Sequence, residues 1–288
     1  MNWQTFLQKE MTRFPEEDRA RTIRHIRELA ANLSGKSSSY LATAPEWEPG
    51  PELLAKLSKA LDEALEGRPW AYLLGSMPFH RWTFKCDERA LIPRVETEWL
   101  VDAIIKKHGD KPPARLLDLC CGSGNIGLSL AAAFPDSHVV LTDISQDALD
   151  LAGENAELLG VADRVTIRQG DLWDCLNEGE RFDCITANPP YVDPTDWLQP
   201  GVAEYEPHVA LYSEDRGRAH IKLILNRLND FLTPEGYAAF ELSHEHQHRL
   251  GTFLEEKFDR GDYNWGPDPS GVYRFLWIYS QANKALTR

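Results

Sequence analysis

The chain has 288 residues, 42% hydrophobic and 26% charged. This is the composition of a globular protein long enough to bury one large core or two smaller ones. No apolar run approaches the roughly 20 residues of a membrane span, and the opening residues lack the basic and apolar regions of a signal peptide, so a cytoplasmic protein is expected. The formal net charge of −14, from 45 acidic against 31 basic residues, argues against a grip on DNA or RNA, which needs clustered cations to neutralise phosphates. It suits a small molecule or a protein partner with a basic face.

The first 75 residues read as a helical domain. Trp3, Phe6, Leu7 and Phe14 recur at helical spacing, as do Ile23, Ile26, Leu29, Ala30 and Leu33. A loop is expected over 34–39, and Leu53, Leu54, Leu57, Leu61, Ala64 and Leu65 form a third stripe closed by Gly67. Residues 76–111 read as a hairpin and a connecting helix. Phe79, Trp82 and Phe84 alternate with polar residues, and a helix from Trp99 to Ile105 follows with Thr97 as its N-cap.

From residue 112 onward, strands alternate with helices. The strands fall at 115–119, 139–142, 165–168, 183–187 and 237–242, the helices at 125–133, 146–159 and 219–232, and a β-prone run at 272–279 comes last. Such alternation predicts an α/β domain with a mostly parallel sheet and helices on both faces. The five cysteines show no zinc-ligand spacing, and no metal site is expected. His244, His246 and His248 follow the fifth strand and read as a solvated helix face.

Three strand ends carry candidate ligand-binding residues. After the first comes Asp118-Leu119-Cys120-Cys121-Gly122-Ser123-Gly124-Asn125, whose glycines let backbone turn sharply beside a ligand. The second ends at Asp143-Ile144, a carboxylate placed for both hydroxyls of a ribose, with a helix N-cap next to Ser145 as the lesser alternative for Asp143. After the third stand Asp171, Leu172 and Trp173, an acid and apolar bulk suited to an adenine amino group and ring. Without GxGxxG spacing or a phosphate-binding lysine, the loop fits S-adenosylmethionine better than NAD or ATP.

The fourth strand runs into Asn188-Pro189-Pro190-Tyr191. An Asn side-chain carbonyl and the next backbone carbonyl can both accept from one planar NH₂ group. The prolines stiffen the turn and remove two competing N–H donors, and Tyr191 offers an aromatic wall. The same residues also punctuate ordinary turns. Glu241 lies at the carboxyl edge of the sheet, where ligand sites gather.

Taken with Arg68 to Gly75, Leu91 to Glu98 and Glu206 to Leu211, these motifs resemble the N5-glutamine methyltransferases of the HemK type, which act on the Gly-Gly-Gln glutamine of peptide-chain release factors. The resemblance spans about residues 65–245. It implies a class I methyltransferase fold, a Rossmann-like and mostly parallel seven-stranded sheet, behind a helical substrate-recognition domain. It implies S-adenosylmethionine as cofactor and S-adenosylhomocysteine as product, held by Asp118, Cys120 to Asn125, Asp143, Ile144, Asp171, Leu172, Trp173 and Asn188. Asn188, Pro189, Pro190 and Tyr191 become the catalytic residues. Arg94, Thr97, Glu98, Glu206, Pro207 and Glu241 become candidates for substrate binding, with a release factor as partner. The chain departs from the family in having Cys120-Cys121 in place of Gly-Thr, an altered stretch at 212–218, and an acidic helix before Arg68. These departures keep a second reading open, a paralogue that methylates a nitrogen or oxygen of a small molecule.

Overall fold

A computed structural model describes residues 1–109 and 111–280. The chain divides into two compact units, one of residues 1–76 with 198–205, the other of residues 77–197 and 206 onward.

The first unit is helical. Helices Trp3–Met11, Glu16–Ser34, Ser38–Thr43, Pro51–Leu65 and Trp70–Leu74 close over Trp3, Phe6, Ile26, Leu41, Leu57 and Leu61, none more than 2% exposed. The expected 34–39 loop shrinks to the three residues 35–37, because Ser37 caps the short third helix by accepting from the Tyr40 N–H at 3.1 Å. The helix Pro200–Tyr205 also belongs to this unit, a distant segment that no local pattern assigns to it. The Tyr205 hydroxyl there donates to the Glu66 carbonyl at 3.3 Å.

A hairpin, β1 (Ser76–Phe79) and β2 (Trp82–Lys85), starts at the boundary and lies in the second unit from Met77 on, followed by the helix Val95–His108. That helix starts four residues before Trp99, so Thr97 lies in its first turn rather than at its N-cap, and is buried. The strands are β3 (Arg115–Leu119), β4 (His138–Asp143), β5 (Val165–Gln169), β6 (Phe182–Ala187), β7 (Leu232–Glu241), β8 (Tyr263–Pro267) and β9 (Tyr273–Tyr279). They form one sheet in the order β5-β4-β3-β6-β7-β9-β8. β3 to β7 are parallel, and β9 runs antiparallel to both β7 and β8. This is the class I methyltransferase sheet. Strand β8 carries Gly266 and Pro267, residues that weaken a strand pattern in sequence.

Alternation along the central strands builds two cores. Leu117, Leu119, Ile185 and Phe240 pack with Ile224, Leu228 and Leu254 from helices Ala219–Phe231 and Gly251–Lys257. Leu116, Cys184 and Ala239 pack with Leu100, Ile104 and Leu128 from helices Val95–His108 and Asn125–Ala133. The chain order reverses about β3, with β4 on one side and β6 on the other, which opens a crevice at the carboxyl ends of the strands.

Helix Asn125–Ala133 crosses β3 and β4 closely. A Cβ on Gly127 would stand 2.3 Å from Leu141 Cδ2 and 3.0 Å from Asp118 Cβ, both buried. Alanine ordinarily strengthens a helix by up to ~1 kcal/mol over glycine. At this position overpacking outweighs that gain. Gly127→Ala is expected to lower unfolding free energy by ~1–3 kcal/mol, read from the urea midpoint; an unchanged or raised midpoint would show that the helix can shift away freely.

Candidate active site

The loops after β3, β4, β5 and β6 and the segment 89–94 line a single cleft. Asp118 lies beneath it. Its carboxylate accepts from the Gly127 N–H at 2.9 Å and the Thr186 hydroxyl at 2.7 Å. Burial pushes it up to about 7, against the opposing pull of those two hydrogen bonds. Asp118 does not line the cleft; it positions the loop that does.

In that loop Cys120 has φ 54°, a left-handed backbone that disfavours a side chain bearing Cβ. Cys120, Cys121, Gly122, Ser123 and Asn125 reach the cleft wall, whereas Gly124 only turns the chain into the helix. Burial, followed by the charge of Asp143, holds both thiols well above the ordinary thiol range, so they stay protonated. The Ser123 hydroxyl is buried and makes no hydrogen bond.

Asp143 closes β4. Its two oxygens accept one backbone N–H each, from Gly122 and from Ser145, both at 2.9 Å. Ser145 itself caps the next helix, accepting from the Ala148 N–H at 3.2 Å, so Asp143 is free of that task. Each carboxylate oxygen retains a lone-pair direction. Burial raises the Asp143 carboxyl, and backbone N–H groups partly offset the rise. Ile144, 52% exposed, continues the wall as an apolar face. Asp171 and Leu172 also line the cleft. Trp173 does not, because its ring stacks on Phe231 with centroids 4.6 Å apart, 3% exposed in the core. Sequence assigned it to the cleft because neighbouring residues share a loop, but the loop turns its side chain the other way.

Asn188 and Pro190 face the cleft from the end of β6. The Asn188 Nδ2 group donates to the Thr97 hydroxyl at 3.5 Å. Pro189 is buried beneath the turn. Tyr191 does not line the cleft; its ring meets His246 edge-on, with centroids 6.2 Å apart, and burial pushes its hydroxyl upward. His246 is fully buried rather than part of a solvated face, and its Nε2 bonds the Gly217 carbonyl at 2.9 Å. Gly217 follows two other left-handed residues, Asp215 and Arg216, in the altered 212–218 stretch. A Cβ on it would fall 2.1 Å from the Tyr191 carbonyl oxygen. The departure from the family pattern is therefore a tight support behind the Asn188–Tyr191 turn. Among the described residues, no cluster of three metal-ligating side chains exists.

Of the other candidates, Arg94, Thr97 and Pro207 line the cleft, while Glu98, Glu206 and Glu241 do not. Glu206, 3% exposed, accepts from Arg94 Nη2 at 2.5 Å and from the Ile92 N–H at 3.0 Å. It ties down the segment 89–94, and its oxygens are engaged there. Sequence reasoning missed His220, which lines the cleft with its Nδ1 2.8 Å from the Ser213 hydroxyl; a histidine opening a helix at the carboxyl edge was the available signal.

Removing the Glu206 carboxylate leaves the buried Ile92 N–H unpaired, while Arg94 can still reach water. Glu206→Ala should cost ~1–3 kcal/mol of stability and speed amide exchange at Ile92 far more than in β3. Uniform exchange across both segments would contradict this account of the segment.

The family model described as the methyltransferase small domain matches residues 96–201. A release factor glutamine methyltransferase of Rhodopirellula baltica is 36% identical over 221 residues, covering 75% of each chain. One of Aliivibrio fischeri is 33% identical over 79% of this chain and 80% of its own, and one of Salmonella typhimurium 32% identical over 92% of both. In fold, the chain is similar to the Thermus thermophilus 16S rRNA N2 G1207 methyltransferase solved with AdoMet and guanosine. That likeness has a TM-score of 0.51 at 19% identity, over 72% of this chain and 50% of that one. With relatives above 30% identity along most of its length, this chain belongs to the release factor glutamine methyltransferase family.

Proposed function

We propose that this protein transfers the methyl group of S-adenosylmethionine to the side-chain amide nitrogen of a glutamine in a peptide-chain release factor, the Gly-Gly-Gln glutamine. The observation that carries the proposal is the orientation of Asn188. Its NH₂ group is turned to Thr97, which leaves Oδ1 free to accept from a substrate amide at the end of β6.

The cleft fits the cofactor. The two Asp143 oxygens have capacity left for a vicinal diol, Ile144 and Leu172 offer apolar faces for a purine, and the unpartnered Ser123 hydroxyl awaits a polar ligand atom. S-adenosylmethionine supplies a methyl group on a positively charged sulfur. The residues of the chain do the rest by orientation. A carboxamide nitrogen is a weak nucleophile because its lone pair is delocalised. Asn188 Oδ1 and the Pro189 carbonyl, each accepting one amide hydrogen, would hold that nitrogen with its lone pair toward the methyl carbon. The nitrogen gains the methyl as the carbon–sulfur bond breaks, then releases one proton to water. Positive charge grows on nitrogen during transfer, so both carbonyls stabilise the transition state more than the bound substrate. Fixing the two reactants in line supplies on the order of 7–11 kcal/mol in well-organised sites.

The test is intact-mass spectrometry of a release factor incubated with the protein and S-adenosylmethionine, beside a control in which the Gly-Gly-Gln glutamine is replaced. One added methyl, absent from the control, is the expected result; no gain with the cofactor bound would overturn the proposal. Asn188→Ala should slow transfer by ~10²–10³-fold and leave cofactor affinity within a few-fold. Asp143→Ala should show the reverse pattern, with affinity weakened by ~10-fold or more. Equal losses of transfer and of cofactor affinity in Asn188→Ala would show that Asn188 acts mainly in the cofactor site.

A further inference from the structure

One ring in the cleft has no part in the chemistry above. His220 stands in the first turn of helix Ala219–Phe231 and lines the cleft together with Asp171 and Leu172. That helix and the loop after β5 are tied together beneath the wall. Leu172 packs on the apolar cluster that holds Ile221, the residue after His220, and Trp173 stacks on Phe231 at the far end of the helix. Ser213, 2% exposed, supports the imidazole from behind. Its own N–H donates to the Val192 carbonyl at 2.8 Å, just past the Asn188–Tyr191 turn.

The Ser213 hydroxyl decides which nitrogen of the ring carries the proton. Its oxygen lies 2.8 Å from His220 Nδ1 and accepts from the His220 backbone N–H at 3.3 Å. Among the described residues it has no third partner. A hydroxyl has one proton to give, and Nδ1 is the acceptor at hand. A proton on Nδ1 would leave the hydroxyl proton buried without an acceptor, which is the costly arrangement. Nδ1 therefore accepts and Nε2 carries the hydrogen. Burial lowers the imidazole below its ordinary range, against the opposing charges of Asp171 and Glu214, so the ring is neutral near pH 7. Among the described residues Nε2 has no hydrogen-bond partner.

On this side the cleft thus offers an acceptor, the Asp171 carboxylate, and a donor, the His220 Nε2–H. Adenine carries the complementary set, an amino group that donates and a ring nitrogen on either side of it that accepts. We propose, resting on the cofactor placement above, that His220 donates from Nε2 to one of the two ring nitrogens flanking the adenine amino group. Ser213 is the positioning residue that holds His220 in the donating tautomer.

The contact can be read without any methylation substrate. S-adenosylhomocysteine and its deaza analogues, each with one ring nitrogen replaced by C–H, are compared by calorimetry. The parent protein should bind either the 1-deaza or the 7-deaza analogue ~3–10-fold more weakly than S-adenosylhomocysteine. His220→Phe should bind that analogue and S-adenosylhomocysteine alike. A parent that binds all of them equally overturns the proposal, as does undiminished discrimination in His220→Phe. A His220-dependent loss confined to the 3-deaza analogue, whose missing nitrogen lies across the ring from the amino group, overturns it too. Nitrogen-15 NMR of the His220 ring in the parent needs no variant. A protonated Nε2 and a bare Nδ1 are expected, and a protonated Nδ1 would refute the assignment. Ser213→Ala should mix the two tautomers and shrink the discrimination; an unchanged spectrum with unchanged discrimination counts against the proposal. Expected binding and spectra without any release factor methylation would leave His220 in its role and refute the methyl-transfer reading instead.

Discussion

The site depends on one buried carboxyl group, that of Asp118. Through Gly127 it holds the start of helix Asn125–Ala133, and through Thr186 it holds β6 two residues before Asn188. A single side chain thus fixes the separation between the loop that begins at Cys120 and the turn that begins at Asn188. Burying such a group costs free energy, and two good donors offset part of that cost. Parallel strands alone would leave each connecting loop free to settle separately.

Glu206 and Gly217 extend the same logic outward. Glu206 anchors the segment 89–94 along one wall of the cleft by pairing with Ile92 and Arg94. Gly217, with His246 bonded to its carbonyl, packs against the Tyr191 backbone from behind. Both contacts are long-range in sequence and short in space. They make the cleft a set of braced loops, which is what in-line transfer to a weak nucleophile requires.

The proposed cofactor and catalytic groups occupy neighbouring strand ends but differ in how they are held. Asp143 is satisfied largely by backbone N–H groups, so its geometry follows from the loop conformation itself. Asn188 is held by another side chain, Thr97, which comes from a helix ninety-one residues earlier in the chain. Its orientation therefore depends on a hydrogen-bond direction as well as on backbone shape.

Sequence by itself determined most of the elements and which strand ends carry the cleft-lining loops. Alternating apolar strands, helical stripes, the loop at 120–125, Asp143, and Asn188 to Tyr191 were legible because each is a local pattern with a local physical reason. Tertiary structure decided which side of each loop a side chain takes. Trp173 turned into the core against Phe231, Tyr191 turned toward His246, and His246 left the surface altogether. It moved Thr97 from a presumed cap to a buried contact with Asn188, and it assigned residues 198–205 to the helical unit. Periodicity records which residues must leave water, but two residues adjacent in a loop share that record. Only packing against distant parts of the chain tells them apart.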